Sequence, residues 1–180
     1  MIITIVPYCP SSEDKNLGFA YNQAMERVND NDWICFLDHD AMFTVPTWYK
    51  QMEEVIEKHP DGGIYTTYTN RIGCPWMIAP DVDVHIHDQL YHRKKGKEIS
   101  DLYWGQIEDK SDVKFDLMSG VVILTSKKIW KEVGGFKNGF LGVDNDYHIR
   151  MRKHNKSVIL MKGIYVYHWY RDSFVNYTEL

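Results

Sequence analysis

An α/β fold with a mainly parallel central sheet flanked by helices is what the chain predicts, and three observations predict it. Apolar runs at residues 2–6 and 33–37, and a β-branched and aromatic stretch at 64–68, have the length and composition of buried strands. The segments between them carry apolar residues at helical spacing, so strand and helix alternate as they do in right-handed crossover units. The 33–37 run stops at two carboxylates, Asp38 and Asp40, and ligands of such sheets collect where strands end. At 180 residues the chain has the length of one domain.

Taken in order, the first strand is closed by Pro7, and residues 8–15 read as a loop from their turn formers. A helix follows from about Asn16, because Leu17, Tyr21, Ala24 and Val28 share one face and the Asn29-Asp-Asn-Asp32 run stops it. After the second strand, Pro46 suits a first helical turn, and Trp48, Met52, Val55 and Ile56 form an apolar stripe. His59-Pro-Asp-Gly-Gly63 ends that helix, and residues 64–68 are the third strand.

Residues 69–114 show little periodicity and read as a long functional or mobile segment. They contain a rival Asp-x-Asp, Asp81 and Asp83, with His85 and His87 as further candidate metal ligands. Asp81 follows Ala79-Pro80 rather than a strand, so solvated loop residues are the better reading. The basic run at 92–97 reads as a solvated loop, with contact to an anionic acceptor or lipid surface as its functional alternative.

Regular structure resumes with a strand around Val121-Val-Ile-Leu124, entered through Met118-Ser119-Gly120. Ser126 caps a short helix over 127–133 that Gly134-Gly135 ends. Asp144 is placed as the N-cap of a helix running to about His154, with Asp146 and Arg150 paired one turn apart. A cap carboxylate bonded to backbone N–H groups is held ionised, which suits a base. Residues 157–161 and 164–167 are two short strands, and His168 follows the last as Asp38 follows Leu37.

Asp38 and Asp40 are two residues apart, and on extended backbone they point the same way while His39 faces elsewhere. Left unpaired they raise each other's pKa, a penalty that a hard divalent cation removes; the plain alternative is an Asp-rich turn. His168, beside Trp169 and Arg171, is either a further ligand or a structural histidine. The formal net charge of -4 argues against a nucleic-acid binder, which normally carries a basic excess. The 6 Trp and 12 Tyr favour ligands that lie on aromatic faces, sugar rings or nucleobases. Three cysteines, Cys9, Cys35 and Cys74, are odd in number and lack metal spacing, as reduced cytosolic thiols do. No apolar run approaches the roughly 20 residues that span a membrane, and Met1 leads straight into a strand, so a cytoplasmic location is expected.

With these pieces assembled, the chain resembles the nucleotide-sugar glycosyltransferases of the GT-A fold, closest to the inverting family-two enzymes, with a secondary likeness to β-galactosyltransferases. The likeness rests on residues 3–8, Asn16-Leu-Gly18 and the helix after it, and Leu37-Asp-His-Asp40. It continues through Ser119-Gly120, Gly134-Gly-Phe136, Gly142-Val-Asp-Asn-Asp146 and Tyr167-His168, leaving out 69–114. The resemblance implies one Rossmann-like GT-A domain over residues 1–180. It implies transfer of a sugar, with inversion, from a nucleotide-sugar donor of the UDP-glucose or UDP-galactose class to a hydroxyl of a glycan, lipid-linked or small-molecule acceptor.

Residue by residue, it implies Asp40 and His168 as direct metal ligands and Asp38 as a ribose contact or a ligand through water. Asp144 becomes the general base, and Ser119 and Gly120 line the donor sugar. Imidazole with carboxylate suits Mn²⁺ better than Mg²⁺, although Mg²⁺ is possible. Pro7, Tyr8 and Asn16 are implied donor contacts, and Arg171 is a further positive group for the diphosphate. Two departures stand out. Residues 10–15 replace the helix, strand and helix that bring the family's uracil-reading Asp, so Tyr8, Asn16 and the backbone of 9–12 stand in for it. Val143 occupies the place of the Glu in the family's Glu-Asp motif. Acceptor contacts fall to 69–114, where Trp76 and Trp104 are either sugar platforms or core. Two other functions fit the same residues: a non-catalytic carbohydrate- or nucleotide-binding module, and a nucleotide-sugar phosphohydrolase.

Overall fold

The computed structural model describes residues 1–8 and 15–169. In chain order the elements are β1 (Ile2–Ile5), α1 (Leu17–Glu26), β2 (Trp33–Leu37), β3 (Ala41–Phe43), α2 (Trp48–Lys58) and β4 (Ile64–Thr69). A 3-10 turn (Pro75–Met77) leads to α3 (Gln89–Tyr103) and β5 (Ile107–Asp109). Then come β6 (Val122–Ser126), α4 (Lys127–Glu132), α5 (Val143–Lys153) and β7 (Val158–His168). The strands form one sheet in the order β1-β2-β6-β4-β7-β3, with β5 also on β7.

The sheet is mixed, which corrects the expectation of a mainly parallel one. β1 pairs with β2, and β4 with β7, in parallel. β6 lies antiparallel between β2 and β4, and β3 and β5 both run against β7. β1, β2 and β4 do point the same way, as their alternation with helices suggests. Apolar runs report burial and not direction, so the inserted β6 left no mark.

Burial follows position in the sheet. β4 and β6, at its centre, are buried along their whole length, whereas edge strand β1 buries only Ile2, and Val6 is half exposed. β7 is one strand rather than two. Its pairing with β4 jumps from Met161 to Tyr165 between Thr67 and Tyr68, and within that jump Lys162 N bonds instead to Gln106 O.

Residues 69–114 are not a loop. Asp88 caps α3, its Oδ1 accepting from Leu90 N and Tyr91 N. The buried positions of α3 are His92, Gly96, Ile99 and Ser100, a helical stripe with one aliphatic residue in it. Gly96 is required there because a Cβ would collide with Thr44. The basic run therefore belongs to a helix, with Lys95 paired to Glu98 and Lys97 to Asp101.

α1 anchors the segment that follows α4. Asn22 Oδ1 accepts from Phe136 N and Trp130 Nε1, and Asn22 Nδ2 donates to Phe136 O. Gly18 N donates to Gly139 O at 3.1 Å, and the Lys137 carbonyl beside it leaves no space for a side chain at Gly18. Residues 136–142 are thus laid along α1 and delivered to the carboxyl edge of the sheet. No described helix is long and apolar enough to cross a membrane. Cys35 and Cys74 are buried free thiols, and Cys9 lies outside the described residues.

Candidate metal centre and cleft

β2, β4 and β7 run the same way, so their carboxyl ends share one edge. Three strand spacings separate β2 from β7, about 14 Å at the usual separation, too far for side chains to meet directly. The chain after β2 closes that gap. Ala41 N bonds to Asp38 O at 3.1 Å, which makes 38–41 a β-turn, and β3 then pairs with the end of β7, Ala41 opposite His168. Trp169 N donates to Asp40 O at 2.9 Å and completes the junction. The carboxylates converge because of this turn, not through extended backbone, and His39, expected to face away, is exposed but also borders the cleft.

One ligand atom each from Asp38, Asp40 and His168 fall within 4.8 Å of one another, the one such group among the described residues. His168 Nε2 lies 3.2 Å from Asp40 Oδ1 and 3.8 Å from Asp38 Oδ2. The other ring nitrogen, Nδ1, is 3.0 Å from the Arg71 carbonyl oxygen, which can only accept; Nδ1 therefore carries a proton and Nε2 is turned to the carboxylates. Asn70 Oδ1 takes the His168 backbone N–H at 2.8 Å. A carbonyl on the far nitrogen is the usual support of a metal-ligating imidazole.

The charges are unequal. Burial pushes the Asp38 carboxyl up to about 6; His168 opposes the rise, while Asp40 and Asp144 add to it. The hydrogen bond with His168 holds Asp40 below the usual carboxylate range. Two carboxylates, an imidazole nitrogen turned toward them and one carboxylate whose charge is costly as it stands are a donor set that fits a divalent cation.

The same edge holds a cleft of ≈ 560 Å³ lined by Asp38, Asp40, His168, Asp144, Ser119 and Gly120 among others. Ser119 and Gly120 arrive beside Asp38 because β6 runs back along β2: Leu37 lies opposite Val122, and Asp38 N donates to Val121 O at 3.1 Å. Asp144 is not the cap of α5. Gly142 is, with a φ of 65°, and Asp144 sits inside the first turn. Burial raises the Asp144 pKa, against hydrogen bonds from the Asn145 and Gly120 N–H groups and the charge of Lys137. The expected ionising influence of the backbone is present and is outweighed.

α5 also grips the opposite wall. Met118 N donates to His148 Nδ1 and Asn145 Nδ2 donates to Met118 O, both at 3.0 Å. Asp144 and the Ser119-Gly120 backbone are therefore held to the same helix.

Other predicted site residues lie elsewhere. Pro7, Tyr8 and Asn16 do not line the cleft; Tyr8 is 82% exposed, and Asn16 Oδ1 accepts from Phe19 N and Gly139 N, capping α1. Arg171 lies outside the described residues. Trp76 and Trp104 stay off the cleft, Trp76 Nε1 donating to Asp116 O at 2.6 Å and Trp104 Nε1 to Glu54 Oε2 at 2.7 Å. Of residues 69–114 only Ile72 and Gly73 reach the lining. Asn70, Arg71, Asn145, His148 and Tyr21 were missed as site residues. A polar Asn at the end of a strand and a Tyr on an apolar helix face were the available signals. No protein-family model and no curated protein matches the chain.

Proposed function

We propose that the protein is a metal-dependent inverting glycosyltransferase, moving a sugar from a UDP-sugar to an acceptor hydroxyl. The observation that carries this reading is the meeting of Asp38, Asp40 and His168 with Asp144 in one cleft, beside the Ser119-Gly120 backbone. Asp38, Asp40 and His168 would hold the cation, with Mn²⁺ preferred to Mg²⁺ because one donor is an imidazole. When bound, the ion offsets negative charge on the departing diphosphate.

Asp144 takes the proton of the acceptor hydroxyl. As it does so, that oxygen forms a bond to the anomeric carbon and the carbon–oxygen bond to the diphosphate breaks, releasing the nucleoside diphosphate. Attack from the face opposite the leaving group inverts the centre. The raised pKa of Asp144 suits this role, because a carboxylate of higher proton affinity is the stronger base. Gly120 lets Asp144 pack close, since a Cβ there would lie 3.3 Å from the Asp144 Cβ and 3.4 Å from its Oδ2.

The test is turnover of UDP-glucose and UDP-galactose with Mn²⁺ across an acceptor panel, for wild type and Asp144→Asn. Acceptor-dependent release of UDP is expected, slowed roughly 10²- to 10⁴-fold in the variant with UDP affinity unchanged. Binding without turnover, indifferent to the substitution, would favour the non-catalytic module. UDP-sugar cleavage that no acceptor accelerates would favour the phosphohydrolase.

A further inference from the structure

The cleft contains a phenol that none of these steps uses. Tyr21, on α1, is 1% exposed and nevertheless lines the cleft. Its ring is wedged between Phe36 and Phe136, with centroids at 4.5 and 4.8 Å, and Phe136 stacks in turn on Tyr147 at 4.0 Å. A buried ring in contact with two others is held by close packing. Burial pushes the phenol far above its ordinary range, and the charges of Asp38 and Asp144 push it further. Tyr21 thus stays a neutral phenol, able to donate, in the cleft that Asp38 and Asp144 also line.

That location has one meaning for a transferase. The diphosphate is anchored at the Asp38, Asp40 and His168 end, and the base waits at Asp144. What lies between them is the sugar in transit. Sugar hydroxyls both accept and donate, so a phenol O–H that lines the cleft together with the carboxylates can read one of them. A site built to bond a particular hydroxyl discriminates strongly against a ligand that lacks it, since its own polar groups are then left unpaired.

We infer that the Tyr21 hydroxyl donates a hydrogen bond to the transferred sugar, making Tyr21 a determinant of donor-sugar selection and not of nucleotide affinity. The inference rests on the transferase reading above. It concerns a contact that the metal ligands and the base do not supply.

The experiment is calorimetric titration of UDP, UDP-glucose and UDP-galactose, with Mn²⁺ present, into wild type and Tyr21→Phe. The variant keeps the ring and removes one oxygen; its thermal melt is recorded beside the titrations. UDP is expected to bind both proteins equally, and the preferred UDP-sugar is expected to bind the variant roughly three- to tenfold more weakly. Preference between the two epimers narrows with it. Equal sugar-nucleotide affinities in the two proteins would overturn the inference and leave the transferase reading standing. So would a loss for UDP as large as for UDP-sugar, which would mean that Tyr21 acts through Asp38. A wild type that binds none of the three ligands overturns both. Should the variant fail to fold, UDP-sugars deoxygenated one position at a time are titrated into wild type. One must show a loss of the same size, and a series with no loss removes the contact.

Discussion

Two of the four Asp-x-Asp stretches in the chain, Asp38-His39-Asp40 and Asp81-Val82-Asp83, are candidate metal sites with histidine to help. The first becomes a cluster with His168; the second becomes a surface turn. Asp81 and Asp83 are exposed, Asp81 has a φ of 56°, and Asp83 Oδ1 is engaged by His85 N at 2.8 Å. His85 is exposed too, and His87 Nδ1 meets the Tyr167 hydroxyl at 3.1 Å instead of a carboxylate. Spacing is common to both stretches and so cannot be what builds the site. The difference is a second strand end that arrives with an imidazole, together with burial deep enough to make carboxylate charge costly.

The largest test of that contrast is Mn²⁺ titrated calorimetrically into Asp40→Asn and Asp83→Asn. The first is expected to lose roughly a hundredfold or more in affinity and the second nothing measurable. Comparable losses in both would mean that the turn at 81–83 also binds the ion.

Next in size comes pH. Folded Asp38 keeps its proton up to about 6, whereas an unfolded aspartate releases it near 4, at about 3.9. The metal-free fold therefore binds the extra proton, and this group's contribution to stability is full at low pH and lost as pH rises to about 6. A cation competes with that proton. The rise in Tm caused by Mn²⁺ is expected to be complete above about pH 7 and to fade as pH falls through about 6, with affinity dropping about tenfold per unit. A shift constant from about pH 5 to 8 would remove Asp38 from the ligand set.

The smallest effect sharpens the role of the support. Asn70→Ala takes away the acceptor of the His168 N–H and is expected to cost about 1 kcal/mol, read from the urea midpoint, with weaker Mn²⁺ binding alongside. Unchanged stability and unchanged binding would show that Arg71 and β3 hold His168 unaided.

What could be read in advance follows from where each constraint lives. β2 and β6 lie on their apolar runs, and β4 on a β-branched and aromatic one, because strands buried on both faces write burial into composition. α4 was legible through its cap, with Ser126 Oγ accepting from Ile129 N at 3.1 Å. α3 was not, since its inward face is His92, Gly96, Ile99 and Ser100, which no apolar pattern reveals. β3 was not either: three residues count as a strand only because β7 pairs with them. The identities of Asp38, Asp40, Asp144, His168, Ser119 and Gly120 could be picked out, and they share the cleft. The means of bringing them together could not. The turn at 38–41, the Asn70 and Arg71 contacts and the burial that raises Asp144 all depend on partners distant in the chain. Asn16, expected at the donor, stands at a helix start where its side chain serves two backbone N–H groups, between Lys15 and Leu17 of the cleft lining.

The junction of β3 with β7 also orders events in time. Asp38 and Asp40 leave the ribosome early, and His168 follows on the order of ten seconds later at ordinary elongation rates. Throughout that interval β3 has no partner to pair with, and the aspartates have no imidazole. A cation that needs all three donors can stabilise only a polypeptide whose sheet has closed, and it does so by mass action on that state alone. On the proposed reading, a cation would therefore favour only the state in which β3 and β7 have paired.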